Sequence, residues 1–135
     1  MQKKKKTPPI NFIINLQVYP FDLMISISQS DEQLGRSLDP YGDLPMKEIE
    51  SCRYPSERCR GRYVMFSTGA SLIRLRHLPS TPDDYGILQH EICHVVASVL
   101  DSVGMKLKIL TSDEAYAYLT QFITKKVYEG MNKYY

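Results

Sequence analysis

The sequence predicts an α+β domain in which a small antiparallel or mixed sheet packs on two long helices, and three observations carry that prediction. Segments 10–19, 23–28, 62–67 and 71–77 have the apolar content and bounding turn residues of short strands. Segment 82–103, and a second segment opening at Ser112, place apolar residues at three- and four-residue spacing, the period of a helix. With 135 residues, 43% of them hydrophobic, the chain can bury one real core, and it contains no repeat or linker that would divide it. A basic tail over 1–9 followed by one domain over 10–135 is the expected organisation.

The elements follow in order. Lys3 to Lys6 before Thr7-Pro8-Pro9 read as a solvated, disordered end. Net charge is +2, but those four lysines leave 13 basic against 15 acidic residues, about −2 for the remainder. The positive balance is therefore a tail rather than a face, and no specific nucleic-acid partner is expected. The lysines precede an apolar stretch, 10–18, as in a signal peptide. Asn11, Asn15 and Gln17 interrupt that stretch, however, and no small-residue cleavage site follows. No run approaches the ~20 apolar residues of a membrane span, so a soluble, intracellular (cytoplasmic) protein is expected.

Strands at 10–19 and 23–28 flank Pro20-Phe21-Asp22, and 30–38 reads as a short capped helix. Segment 39–60 is turn-rich and expected to be irregular. Segments 62–67 and 71–77 form a hairpin around Thr68-Gly69-Ala70. Thr81 is placed as N-cap with Pro82 at the first helical position, Asp83 and Asp84 complement the positive dipole end, and Gly104 with Met105 forms the stop. That helix spans 82–103. A short connection then lets the helix from Ser112 pack antiparallel to it.

Inside the first long helix lies His90-Glu91-Ile92-Cys93-His94. At ~3.6 residues per turn the two imidazoles stack on one face, where both reach a single metal ion. Glu91 points toward the same region as a candidate general base for a metal-activated water. Two imidazoles plus one carboxylate favour Zn2+. Cys93 is ~60° round the helix from His90 and reads as a small buried hydrophobe rather than a ligand. Cys52 and Cys59 read as free thiols, with a bridge between them the lesser option.

A catalytic zinc needs a third protein ligand, and Ser112-Asp113-Glu114-Ala115-Tyr116-Ala117-Tyr118 supplies a candidate in Glu114. Here the chain resembles the gluzincins, the thermolysin-like zinc peptidases, in which H-E-x-x-H is followed by a helical glutamate ligand. Nineteen residues separate His94 from Glu114, the thermolysin-type interval. The resemblance covers about 84–128 and is closest to minimal zincin-like proteins, including short ones encoded by phages. It implies His90, His94 and Glu114 as metal ligands, Glu91 as general base, and a peptide or protein as substrate. Where the family places an aspartate that orients the first histidine, this chain has Tyr118. Tyr116, Tyr128, Tyr134, Tyr135 and His77 are candidates by type to stabilise an oxyanion.

Other readings stand beside these. Glu114 also fits a capping box with Thr111, and Asp113 is a second carboxylate at the same helix start. The likeness to gluzincins also implies that one strand of the 62–77 hairpin takes extended substrate by strand addition, with Arg74, Arg76 and His77 near the cleft mouth favouring an acidic substrate; solvated strand charges are the plainer account. The rival to a peptidase is a non-enzymatic, zinc-stabilised interaction module. A further alternative is an α+β interaction protein that binds no metal.

Overall fold

The computed structural model describes residues 6–42 and 44–135. Most of the expected lysine tail, residues 1–5, lies outside the described residues. Beyond it the chain is already docked, because the Ser28 hydroxyl donates to the Thr7 carbonyl at 3.2 Å.

Four strands form one mixed sheet: β1 (Ile10–Asn15), β2 (Asp22–Ile27), β3 (Gly61–Met65) and β4 (Ser71–Leu75), in the order β1-β2-β4-β3. β1 runs antiparallel to β2, β2 parallel to β4, and β3 antiparallel to β4. Central strands covered on both faces need near-continuous apolar sequence, and Leu23 to Ile27 and Ser71 to Leu75 are buried at every position. The first predicted strand is shorter than expected because the chain leaves the sheet at Leu16 and turns, with Gln17 in the left-handed region (φ 58°). Both hairpin strands start within one residue of the prediction and end two residues short of it.

One face of the sheet packs under α1 (Asp31–Leu38), where Met24, Val64 and Leu72 meet Leu34, Leu38 and Cys52. Ser30 caps α1, its hydroxyl accepting from Gln33 N–H while the Gln33 side chain accepts from Ser30 N–H, both ends of a capping box. Within the region expected to be irregular, Met46–Ser51 forms a helix, α2. It is under two turns long and buries none of its residues, so no apolar periodicity marks it.

The other face carries α3 (Pro82–Ser102) and α4 (Asp113–Asn132). Ile25, Ile27, Ile73 and Leu75 pack against Leu88, Ile92, Val95, Val96, Val99 and Leu100 of α3 and against Leu119, Ile123, Val127 and Met131 of α4. Full burial of each such side chain contributes about 1.5–3 kcal/mol, so this layer dominates the fold's stability. α4 runs antiparallel to α3: Tyr85 stacks on Tyr128 with centroids 5.6 Å apart, and one turn on Gln89 donates to Thr124 at 3.3 Å. Among the described residues no helix is long and apolar enough to cross a membrane.

The ends of α3 are fixed as the sequence predicts. At the C-terminus Gly104 adopts φ 78°, letting its N–H reach Asp101 O and Met105 N–H reach Leu100 O, both at 2.9 Å. This is the paired hydrogen bonding of a Schellman stop. At the N-terminus Thr81 accepts from Asp84 N–H at 3.2 Å. The buried Asp84 carboxylate accepts from Ser80 N–H (3.0 Å) and Thr81 N–H (3.2 Å), and pairs with Arg60 and with His77 (3.2 Å).

Burial works to raise the Asp84 pKa, but hydrogen bonds from Ser80, His77 and Thr81 outweigh it and hold the carboxyl well below the usual range. A depressed folded pKa gives stability that is present above the ordinary carboxylate range and lost as pH falls. Asp84→Asn is expected to lose about 1–3 kcal/mol at neutral pH in urea unfolding, with the gap to wild type closing below about pH 4. A gap that persisted unchanged to pH 2 would assign the effect to shape rather than charge.

Candidate metal-binding site

α3 meets three surroundings at once. At ~100° per residue, Leu88, Ile92, Val95 and Val99 face the sheet, while Tyr85 and Gln89 turn to α4. Ile87, Glu91, His94 and Ser98 line the flank that meets β3. His90 and His94 lie at the outer margin of this flank and are exposed.

The structure brings those two imidazoles together. Their Nε2 atoms are 3.1 Å apart and the rings meet edge-on, with centroids 4.8 Å apart and planes at 76°. Two imidazoles on one tetrahedral zinc, at Zn–N of 2.0–2.1 Å, have nitrogens about 3.3 Å apart. The nitrogen separation is thus close to that of two zinc ligands, and the hydrogen bond the two Nε2 atoms now share is what a metal would replace.

Glu91 sits beside them, 8% exposed, against β3. The strand approaches closely because residue 61 is glycine: a Cβ there would stand 2.9 Å from Ile87 Cγ2 and 3.2 Å from Glu91 Oε1. Burial pushes the Glu91 carboxyl above its ordinary value, and the positive fields of His90, His94 and Arg62 only partly offset that. A general base working near neutrality is tuned in this direction.

Glu114 is not brought to the pair. Its helix packs on the Tyr85/Gln89 side of α3, ~100–180° round from the imidazoles. The register through Tyr85/Tyr128 and Gln89/Thr124 sets Glu114 level with Val99. That is about 7 Å along the axis beyond His94, five residues at ~1.5 Å each. Among the described residues no group of three His, Cys, Asp or Glu side chains stands together as a metal would require, so Asp113 does not complete the set either. The Thr111/Glu114 capping box does not form: Ser112 occupies the cap position without a side-chain cap, and Thr111 Oγ1 donates to Lys108 O at 3.2 Å.

Several other expectations are corrected. Cys93 is exposed rather than buried, because its neighbours one turn away, His90 and Ala97, also face solvent. Arg74 is not beside the histidine pair but lines a cleft on the opposite face of the sheet with Arg76 and Tyr54. β4 is an interior strand, and alternation sends Arg74 to the α1 face, 3% exposed, where it pairs with Asp31 at 2.7 Å. Arg76 lies over the Tyr54 ring at 4.0 Å, and His77 is held by Asp84. Tyr118 is 68% exposed and meets neither imidazole, and the Tyr116 hydroxyl donates to Met105 O at 3.0 Å. Tyr128 stacks on Tyr85, Tyr134 packs at the core margin, and Tyr135 donates to Pro79 O. All three lie toward the N-terminal end of α3, away from the pair. Cys52 and Cys59 are free thiols.

The residue that sequence reasoning missed is Tyr63. Projecting from β3, its ring stacks on His94, with centroids 5.4 Å apart and planes at 16°, and its hydroxyl hydrogen-bonds Ser98. Strand alternation could have placed it on the α3 side with Gly61, but only the pairing of β3 against α3 reveals its partner.

No protein-family model, curated protein or solved structure matches the chain.

A raised folded pKa means that Glu91 favours the fold at low pH, and that this contribution is lost as pH rises and the buried group must ionise. In chelator-treated protein, Glu91→Gln is thus expected to unfold at higher urea than wild type at pH 7–8, with the two converging below about pH 4. Wild type proving the more stable at pH 8 would show that the charged carboxylate is favoured where it sits.

Proposed function

We propose that this protein is a zinc-dependent metallopeptidase of minimal zincin-like architecture, hydrolysing peptide bonds. The observation that carries the proposal is the convergence of His90 and His94 Nε2 at 3.1 Å beside the buried Glu91 carboxyl. His90 and His94 would hold the metal, with Glu114 as the third ligand implied by the likeness to gluzincins. The connection before α4 offers little packing against a shift of Glu114, since Leu107, Ile109 and Leu110 are 59%, 82% and 90% exposed.

When bound, zinc supplies a Lewis acid that polarises a peptide carbonyl and acidifies a water. Glu91 is the group that accepts a proton and returns it to the leaving amine. Its burial against Gly61 raises its affinity for that proton and fixes its position. Among the described residues β3 is an edge strand, and an extended peptide would be received along that edge by strand addition.

The second reading, a zinc-stabilised module without catalysis, draws on the distance of Glu114 from the pair. Elemental mass spectrometry on zinc-reconstituted protein separates them, together with a casein-cleavage assay. About one zinc per chain is expected in wild type and Glu91→Gln, and little in His90→Ala or Glu114→Ala, with cleavage lost by at least ~10² in Glu91→Gln. Zinc retained in Glu114→Ala moves the third ligand elsewhere. Zinc bound without cleavage by wild type, with a thermal midpoint that falls on chelation, favours the module. No zinc in wild type removes both.

A further inference from the structure

Metal-binding imidazoles are ordinarily aimed by a hydrogen bond from the second ring nitrogen to a carboxylate, carbonyl or water. Among the described residues neither Nδ1 has such a protein partner, and Tyr118, standing where the likeness puts an orienting carboxylate, points to solvent. Exposed rings without an Nδ1 anchor sample several χ2 values, yet these two converge, their Nε2 atoms hydrogen-bonded to one another at 3.1 Å. That bond ties the rings to each other but does not set where the pair lies on the helix.

We infer that Tyr63 is the positioning residue of the pair: its ring is the platform that turns the His94 imidazole so that Nε2 points at His90 Nε2. The contact is nearly parallel, 16° between planes at 5.4 Å, and so constrains ring rotation as an edge contact would not. The platform is itself held at both ends. Its backbone lies in β3, with Tyr63 registered against Ile73 of β4. Its hydroxyl is hydrogen-bonded to Ser98, whose Oγ donates to the His94 carbonyl at 2.7 Å one turn below. Ring, hydroxyl and helix backbone thus close a loop on His94 alone. His90 is set by the edge of His94, 4.8 Å between centroids, and by the Nε2–Nε2 hydrogen bond, so the orientation of the second imidazole depends on the first.

β3 serves the site twice at alternate residues. Gly61, with no side chain, leaves room for Glu91, and Tyr63, two residues on and on the same face, supports His94. Arg62 between them points away, its Nε donating to Ser51 O at 3.1 Å.

The orientation stands on geometry alone; its consequence for metal binding rests on the zinc reading above, and two measurements keep them apart. In metal-free protein, NMR of the His94 ring protons is expected to show upfield shifts from the Tyr63 ring in wild type and Tyr63→Phe, lost in Tyr63→Leu. Unshifted His94 protons in wild type overturn the inference whatever the metal result. In zinc competition against a chromophoric chelator, Tyr63→Leu is expected to weaken binding on the order of 10–100-fold, while Tyr63→Phe, which keeps the platform, loses far less. The Co2+ ligand-field spectrum should change in Tyr63→Leu and not in Tyr63→Phe. Circular dichroism and thermal unfolding of each variant report folding, and wild-type zinc affinity in a folded Tyr63→Leu protein overturns the inference. If wild type takes up no zinc, the zinc reading fails and the NMR comparison alone decides the role of Tyr63.

Discussion

Everything at the candidate site depends on how α3 is clamped. Helical stability in proteins comes mostly from packing an apolar face rather than from propensity, so the position of α3 comes from burying Leu88, Ile92, Val95, Val96, Val99 and Leu100 against sheet and α4. Rotation about its own axis would expose that arc and is correspondingly costly. Sliding along the axis is opposed at the start by the Asp84 carboxylate, which ties the helix to Ser80, Thr81, His77 and Arg60, and at the end by the Gly104 stop. With rotation and translation both fixed, the exposed arc is fixed too. His90 and His94 occupy it where β3 borders it.

The edge position of β3 gives that border its character. An interior strand has neighbours on both sides and no free main-chain edge, whereas β3 has β4 on one side and, among the described residues, no strand paired on the other. Its inward residues need not fill a deep core. Gly61 and Tyr63 therefore contact α3 at its flank, one by leaving space and one by filling it, and the outcome is a buried carboxylate beside two aimed imidazoles. On the α1 face, by contrast, the buried Arg74 is absorbed by Asp31, Cys52 O and Gln29 O, with its guanidinium over Tyr54.

Local chemistry was legible in the sequence and lateral partnership was not. Thr81, Pro82 and Gly104 announce the bounds of α3 because capping and left-handed stops are set by a few neighbouring residues. The buried runs of β2 and β4 and the hairpin between β3 and β4 are similarly local. The α1 cap and the spacing of His90 and His94 were readable for the same reason. α2 was not, since a helix that buries nothing has no period to detect. The burial of Arg74 depends on strand order, and the exposure of Cys93 on which α3 arc the sheet covers. Tyr63 lies 31 residues before His94, too far for any local rule to join them.

On the zinc reading, this distribution of constraint also bears on how a metal would be taken up. Glu91 and His94 are held by β3 before any ion arrives, and His90 is held by His94, so two of the three protein donors cost little to organise. Glu114 differs: it is exposed, follows a connection whose apolar side chains are largely in solvent, and lies level with Val99 on another side of α3. Recruiting it would order that connection and draw on part of the metal's binding energy. Affinity would then depend more steeply on the 103–112 connection than on the pair itself, and stiffening that segment would tighten zinc without touching a ligand. A site whose third donor came from elsewhere would be indifferent to the connection, because none of its ligands would then lie on the far side of it.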